Sequence, residues 1–347
     1  MQPQITDVTF SQPITPGLSR CESVFRIEHA DSGLVAFIAL HRTDHGPAVG
    51  GVRRRRYTSE AEAVADAVSL ATQMTRKVRF ADLPCGGGKS VIIDHDGLKP
   101  EAAYAAFGRA ITALGGRYFC GPDVGTGPTE MGWIRTETSN TNSPDNDASE
   151  ATARGVLAGL RAATRFAHTH LGAGDPATLH YLVQGVGGVG SRVVDGLPET
   201  ARCSVADTNP ATVEALVRRR PSTVVPVDQV VGTPCDVFAP CAVGPVLTST
   251  NVSTLRAKLV CGCANTQLES DSLAEELHRT GVLYIPDFIV NSGAVIEGVT
   301  VLFDDDKPTA RTRAAKKIDA IETRVTELLE SAHAANRSPL SVGLARS

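Results

Sequence analysis

The sequence predicts an α/β fold in which a doubly wound parallel sheet fills the second half of the chain. Three observations lead there. The apolar run Thr178–Gln184 passes directly into Gly185-Val186-Gly187-Gly188-Val189-Gly190, a glycine turn between a strand and a helix. Strand-like and helix-like stretches then alternate as far as Ile285, the pattern of parallel strands joined by helical crossovers. The 347 residues, 42% hydrophobic and 21% charged, suit a globular chain of about two domains.

In order along the chain, Ser23–Arg26 and Leu34–His41 are strand-like. Thr58 or Ser59 can cap a helix from Glu60 to about Met74, where Ala and Val fall at helical spacing. A Gly-rich loop, Pro84-Cys85-Gly86-Gly87-Gly88-Lys89, leads into a strand over Ser90–Asp94. A helix over Pro100–Leu114 and a strand over Arg117–Cys120 follow, ending in Gly121-Pro122-Asp123-Val124-Gly125-Thr126. The polar stretch Thr136–Glu150 reads as a surface loop or domain junction, and a helix over Ala151–Thr169 comes next. After the glycine turn come a helix over Ser191–Leu197 and a strand over Arg202–Ala206. Further strands fall at Val224–Pro226, Val237–Ala239, Leu259–Cys261 and Leu283–Ile285. Ala310–Ala335 reads as one charged amphipathic helix. The expected division is 1–140 and 141–324, with about 325–347 packing back on the first domain.

Composition excludes several functions. Lys and Arg total 34 against 38 Asp and Glu, a formal charge of −4, which gives no basic footprint for nucleic acid. No run of 18 apolar residues is present, so no membrane partner is expected. The opening MQPQITDVTFSQPITPG has neither a basic n-region nor an apolar h-region, and a cytoplasmic location is the expectation. The eight cysteines are Cys21, Cys85, Cys120, Cys203, Cys235, Cys241, Cys261 and Cys263. They form no CxxC pair, so no metal is expected and the thiols are read as buried and reduced.

The glycine turn has the context that makes it specific for a dinucleotide. Gly185 permits the tight turn, Gly187 lets the backbone approach a pyrophosphate, and Gly190 allows close helix–strand packing. The following helix offers free N–H groups to phosphate. Asp207 ends the next strand, 17 residues after Gly190, and can accept from both ribose hydroxyls. A carboxylate there repels a 2′-phosphate, which favours NAD over NADP.

The lysines point to chemistry. Of the 34 basic residues, 27 are Arg and only seven are Lys. An ammonium can lose its proton when its environment disfavours charge; a guanidinium effectively cannot. Lys77 and Lys89 stand 12 residues apart around the three glycines. Two ammonium groups facing one pocket would depress one another, leaving one as a neutral base and the other as an anion anchor. Asp123 is a candidate partner acid or base. Each of the three also has a plain reading, as a surface cation or a turn-capping carboxylate.

A set of motifs in order makes a resemblance specific: Gly50-Gly51-Val52-Arg53, MTRK (74–77), LPCGGGKSVI (83–92), GPDVGT (121–126), GVGGVG (185–190), CDVFAPCAVG (235–244), ANTQL (264–268) and PDFIVNSGAVI (286–296). Over about residues 20–305 the chain resembles the Glu/Leu/Phe/Val amino-acid dehydrogenase family, in its NAD-dependent leucine, valine and phenylalanine branch. The resemblance implies a catalytic α/β domain, then a Rossmann domain, with a cleft between them. It implies reversible oxidation of an amino acid to a 2-oxo acid and ammonia, with NAD as cofactor and a homo-oligomeric assembly. Lys77 matches the lysine that holds the substrate carboxylate, Lys89 the lysine that activates water when neutral, and Asp123 the carboxylate that shuttles protons. Gly50 and Gly51 match the backbone against which substrate lies. Val49, Gly121 and Ala294 match positions around the side chain, and Asn291 a polar residue near the nicotinamide. Gly188, Val189, Cys241, Ala242, Ala264, Asn265 and Thr152 match the cofactor's surroundings.

The sequence departs from that pattern at Thr266, where the family reads Asn, and at Ser292 and Ala294, where it reads Ala and Gly. Asp145-Asn146-Asp147-Ala148-Ser149-Glu150 replaces a Gly-Ser-rich segment. No extra cation is evident for a second substrate carboxylate, so a hydrophobic side chain is expected. Gly121 leaves room for a ring, which favours an aromatic substrate; Val49 and Gly125-Thr126 resemble the leucine and valine branches, the alternative. A weakly active paralogue that binds NAD and an amino acid is a reading of another class. A hydroxy-acid dehydrogenase would need a His base paired with a carboxylate, and no His here stands in such a motif.

Overall fold

A computed structural model describes residues 1–10, 20–142 and 147–346. The chain divides into two compact units, 1–146 with 298–307, and 147–297 with 308–346.

The first unit holds β1 (Gln4–Asp7), β2 (Ser23–His29), β3 (Leu34–Leu40), β4 (Ala48–Arg55), α1 (Glu60–Phe80), β5 (Gly86–Ile93), α2 (Pro100–Ala113), β6 (Tyr118–Pro122) and α3 (Pro128–Arg135). Its strands form one mixed sheet in the order β1-β2-β3-β5-β4-β6. β5, β4 and β6 run parallel, and the other three strands are antiparallel neighbours. One face is covered by α1, whose Val64, Ala67, Val68 and Ala71 pack with Phe37, Ala39 and Val91. The other face carries the larger core, with Tyr104, Phe107 and Ile111 of α2 and Ile134 of α3.

Three features of this unit differ from the sequence reading. β4 was not anticipated, because its glycines and arginines hide the alternation of a strand. α1 runs on to Phe80 rather than stopping near Met74, so Lys77 belongs to its last turn. The expected glycine loop is instead the start of β5, in the middle of the sheet. The reason is packing. A Cβ on Gly87 would stand 2.1 Å from the Thr75 backbone nitrogen, so the bare strand lets α1 lie directly on it.

The second unit holds α4 (Ala148–Leu171), β7 (His180–Gln184), α5 (Gly188–Asp195), β8 (Arg202–Ala206), α6 (Pro210–Arg219), β9 (Thr223–Val224), β10 (Val237–Pro240), β11 (Leu259–Val260), α7 (Ser272–Arg279), β12 (Leu283–Tyr284), α8 (Asp287–Val290), α9 (Gly293–Phe303), α10 (Lys307–Asp319), α11 (Ile321–Ala335) and α12 (Pro339–Arg346). Residues of α9 from 298 onward group with the first unit. The sheet order is β12-β11-β10-β7-β8-β9, and every pairing is parallel. Strand order therefore reverses between β7 and β10, the switch point of a doubly wound sheet.

The expected loop before α4 is shorter than 136–150. Asp147 caps α4, its carboxylate accepting from the Ser149 and Glu150 N–H groups, so Ala148, Ser149 and Glu150 are helical. Asp145 and Asn146 lie outside the described residues. The single helix expected over 310–335 is two, broken at Ala320. The tail expected on the first domain instead belongs to the second unit. The buried stripe of α11, Ile321, Val325, Leu328 and Leu329, has its partner in α4, and the His333 ring meets Phe166 edge-on at 5.7 Å. All eight cysteines are free; Cys235, Cys241 and Cys263 are partly exposed rather than buried. No helix among the described residues is long and apolar enough to cross a membrane.

Candidate active site

The first unit gathers Lys89 and Asp123 by register. Val49 pairs with Gly87 and Val52 with Ser90, which sets Lys89 of β5 beside Gly51 of β4. Gly51 in turn pairs with Gly121 of β6, and Asp123 follows two residues on. Side chains alternate across a sheet, so Val49, Gly51, Lys89 and Gly121 share the α1 face. Lys89 Nζ reaches Asp123 Oδ2 at 3.0 Å, over the bare backbone of Gly51. A Cβ on Gly51 would stand 2.8 Å from the Asp123 Cβ and 3.1 Å from Lys89 Nζ. Glycine at 51 is thus what lets the ammonium and the carboxylate meet. Gly50 faces the other way: a Cβ there would meet the Gly88 carbonyl oxygen, and its own carbonyl accepts from the Tyr118 hydroxyl. Gly121 has open space, with only Asn142 near, at 3.9 Å.

Lys89 is only 6% exposed. Burial pushes its ammonium below the ordinary lysine range, the Arg53 cation adds to this, and Asp123 opposes it. Burial alone would push the Asp123 carboxyl up. The nearby charges of Lys89 and Arg53 outweigh burial and hold it below the usual carboxylate range. After burial, the cation seen to depress Lys89 is Arg53. Arg53 Nε donates to Asp123 Oδ2 at 2.9 Å. Lys77 stands on the last turn of α1, partly exposed, two residues beyond the Thr75 contact with Gly87.

Sequence reasoning quoted Arg53 in a motif but gave it no role, because it opens the run Arg53-Arg54-Arg55-Arg56, which looks like a solvated strand edge. It also missed Phe119, the β6 partner of Val49, and Phe303, which packs edge-on against Phe119 at 5.1 Å. No local signal marks the two phenylalanines; they meet only in the fold.

In the second unit Gly185–Gly190, Asp207, Cys241, Ala242, Ala264 and Asn265 follow the carboxyl ends of β7, β8, β10 and β11, while Thr152, Asn291 and Ala294 lie on or beside α4, α8 and α9. Gly185 leaves β7 with φ +85°. A Cβ on it would stand 2.7 Å from the Ala242 nitrogen, so Cys241 and Ala242 close directly on the turn. Gly190 packs on the Gly185 carbonyl, where a Cβ would come within 1.8 Å. Gly187 caps α5 with open space around it, and Gly188 is exposed beside it, with Val189 half-buried. A phosphate can therefore reach the free N–H groups of α5. Asp207 follows β8; its Oδ2 accepts from Val186 N–H at 2.7 Å and its Oδ1 from Asn209 N–H at 2.9 Å. Each oxygen keeps a lone pair for a ribose hydroxyl. Ala264 is fixed by its N–H to the Pro240 carbonyl. Asn291 is buried; its Nδ2 donates to Asn265 Oδ1 at 3.0 Å and to the Cys263 carbonyl, while its Oδ1 has no hydrogen-bond partner among the described residues. The glycine turn at the switch point and, separately, an orphan buried amide acceptor are features that fit a nicotinamide dinucleotide. Thr152 spends its hydroxyl on the Ala148 carbonyl, and Ala294 lies half-buried on α9.

The departures from the family pattern have local structural readings. Ser292 is buried and donates to the Ile289 carbonyl, ending α8. Thr266 has φ +55°, a left-handed conformation that asparagine tolerates and a β-branched residue resists.

The two sheets, the buried lysine–aspartate pair and the glycine cradle define an α/β dehydrogenase. Residues 21–140 match the Glu/Leu/Phe/Val dehydrogenase dimerisation domain, and residues 195–301 match the Glutamate/Leucine/Phenylalanine/Valine dehydrogenase domain. A valine dehydrogenase of Streptomyces albus is 41% identical over 86% of this chain and 84% of its own length. A phenylalanine dehydrogenase of Caldalkalibacillus thermarum is 37% identical over 94% of this chain and 89% of its own length. The crystal structure of L-tryptophan dehydrogenase from Nostoc punctiforme superposes with a TM-score of 0.79 at 29% identity, covering 94% of each chain. The chain belongs to the Glu/Leu/Phe/Val dehydrogenase family, whose members are oxidoreductases that use a nicotinamide cofactor.

Proposed function

We propose that this protein catalyses the NAD-dependent, reversible oxidative deamination of a hydrophobic L-amino acid to its 2-oxo acid and ammonia. One observation carries the reading: a buried ammonium with depressed basicity, 3.0 Å from a carboxylate that stays ionised. That pair can take a proton and return it near neutral pH. Lys77 supplies the substrate carboxylate with a cation. Lys89, once neutral, draws a proton from the water that attacks the carbon–nitrogen double bond. Asp123 moves protons to and from the nitrogen. NAD, held by the Gly185–Gly190 turn, Asp207 and the Asn291 neighbourhood, supplies the hydride acceptor. Asp207 favours NAD over NADP, because its carboxylate repels a 2′-phosphate.

The side-chain preference we infer is aromatic. Gly121 leaves an unfilled position on the face that carries Lys89, with Val49 and the Phe119–Phe303 pair as apolar neighbours. A branched aliphatic substrate is the second reading, favoured by the valine and leucine dehydrogenases among the relatives and by the bulk of Val49. The intact lysine–aspartate pair argues against a mere binding paralogue. The dimerisation domain in the family match supports a homo-oligomer, and eight free thiols support a cytoplasmic enzyme.

The test is a panel of the twenty L-amino acids with NAD and with NADP, read as absorbance at 340 nm. Turnover of phenylalanine, tyrosine or tryptophan above leucine and valine supports the reading. No turnover of any amino acid overturns it.

A further inference from the structure

Arg53 lies two residues beyond Gly51 on β4 and therefore on the same face. Its side chain is 16% exposed, and its guanidinium makes two sets of contacts. Nε donates to Asp123 Oδ2 at 2.9 Å, the same oxygen that Lys89 Nζ reaches at 3.0 Å. The Nη1 end lies 3.3 and 3.2 Å from Oδ1 and Oδ2 of Asp66 on α1. Asp66 Oδ2 also accepts from the Tyr57 hydroxyl at 2.7 Å. The result is one chain of contacts from Tyr57 through Asp66, Arg53 and Asp123 to Lys89.

We propose that Arg53 is a positioning residue for the reaction: anchored by Asp66, it fixes the Asp123 carboxylate against Lys89 and keeps a permanent second cation beside that ammonium. The proposal rests on the roles given above to Lys89 and Asp123.

The charge count explains why a guanidinium stands there. With Lys89 protonated, Lys89, Arg53, Asp123 and Asp66 sum to zero; when Lys89 gives up its proton they sum to −1. Without Arg53 the same step would run from −1 to −2, and the proton would be held more tightly. Arg53 can perform this task because it cannot take up or release the proton itself. Two donors on Oδ2 also fix the carboxylate's rotation. Asp66 acts in the opposite sense. Its negative charge raises the Lys89 affinity for a proton, while its contact with Arg53 keeps the guanidinium in place.

This gives a test with opposite signs. In the full-length enzyme, kcat/KM is measured against pH for Arg53→Gln, Arg53→Lys and Asp66→Asn, with the preferred amino acid and NAD. Loss of a cation within about 4–6 Å of Lys89 should raise the acid limb of the Arg53→Gln profile by about one pH unit or more. Loss of an anion should lower the limb for Asp66→Asn. Arg53→Lys keeps a cation and should leave the limb near the wild-type position with a lower plateau. The pH dependence of Lys89 acetylation by acetic anhydride, read by mass spectrometry, should shift in the same directions. A residue that merely braces α1 against β4 would lower the plateau or the melting temperature in every variant without moving either profile, and that result would overturn the proposal. Should Arg53→Gln fail to fold, the downward shift in Asp66→Asn decides. The labelling needs no turnover, so an enzyme inactive on every amino acid would refute the catalytic reading while still testing the coupling of Arg53 to Lys89.

Discussion

Replacing Lys89 by Met removes the ammonium and keeps most of the stem. The side chain is almost fully buried, so the apolar stem is worth retaining, and Met follows the same path along β5. Asp123 is not orphaned by the change, because Arg53 still donates to Oδ2 at 2.9 Å. The stability cost should therefore fall below the ~3–5 kcal/mol that follows when a buried charge loses its only partner, and ~1–2 kcal/mol is expected. Activity should respond very differently. Losing a general base costs roughly 10²–10⁴-fold in kcat, or ~3–5 kcal/mol of barrier. Lys89→Arg is the companion variant. It keeps the charge beside Asp123, but a guanidinium cannot release a proton. The assay is initial NADH formation at 340 nm, with a thermal melt to confirm folding. If either folded variant keeps more than about a tenth of the wild-type kcat, Lys89 is not the base.

Other positions make separate expectations. Gly121→Ala should fold normally, since its new methyl meets only Asn142 at 3.9 Å, and should lower kcat/KM for phenylalanine relative to valine by about 5- to 150-fold through ~1–3 kcal/mol of overpacking; an unchanged ratio would place the side chain elsewhere. Asp207→Asn should cut the preference for NAD over NADP about tenfold or more, the scale of a charged hydrogen bond worth ~1.5–3 kcal/mol; a wild-type preference for NADP would sink the assignment without any variant. Thr266→Asn should raise stability by about 1 kcal/mol by relieving the left-handed conformation at φ +55°, seen as a higher Tm, whereas a lower Tm would mean that the threonine makes a contact outweighing the strain. His41 is buried against the Thr75 hydroxyl at 2.8 Å, and burial lowers its ring from 6.5 to about 4. Its neutral form belongs to the folded state, so its contribution is complete above pH 6.5 and is lost as pH falls toward 4, where the unfolded chain alone has bound the proton. That loss, about 3 kcal/mol in urea melts at pH 7 and 4, should largely vanish in His41→Gln, and an undiminished loss would clear His41 of the effect.

The parts of the fold legible in the sequence are those whose signal is local. The apolar strand before Gly185, the helix capped at Ser59 and the strand Arg202–Ala206 each carry their own pattern, and β8 has the expected bounds. The first sheet was harder because its glycines serve packing rather than turning. Three glycines in a row read as a loop; in the structure they are a central strand with a helix lying on it. The C-terminal helices carry a clear amphipathic pattern but nothing that says which unit they cover. That choice is made in the fold, where α11 packs on the buried stripe of α4.

The candidate site divides along the same line. Lysine is scarce in this chain, so Lys89 stands out by composition, and Asp123 stands out by its turn. Arg53 is one of 27 arginines and is invisible by composition; the motif that contains it gives it no role, and the register that sets Gly51 beside both Lys89 and Gly121 does. Chemistry explains the asymmetry. A proton-transfer residue must be of a rare kind, because few side chains can change charge near pH 7. A residue that only supplies a fixed charge can be of the commonest cationic type in the chain, and it acquires its role from position alone. The depressed basicity of Lys89 comes first from burial, and the arginine beside it, which never gives up its own proton, adds to it.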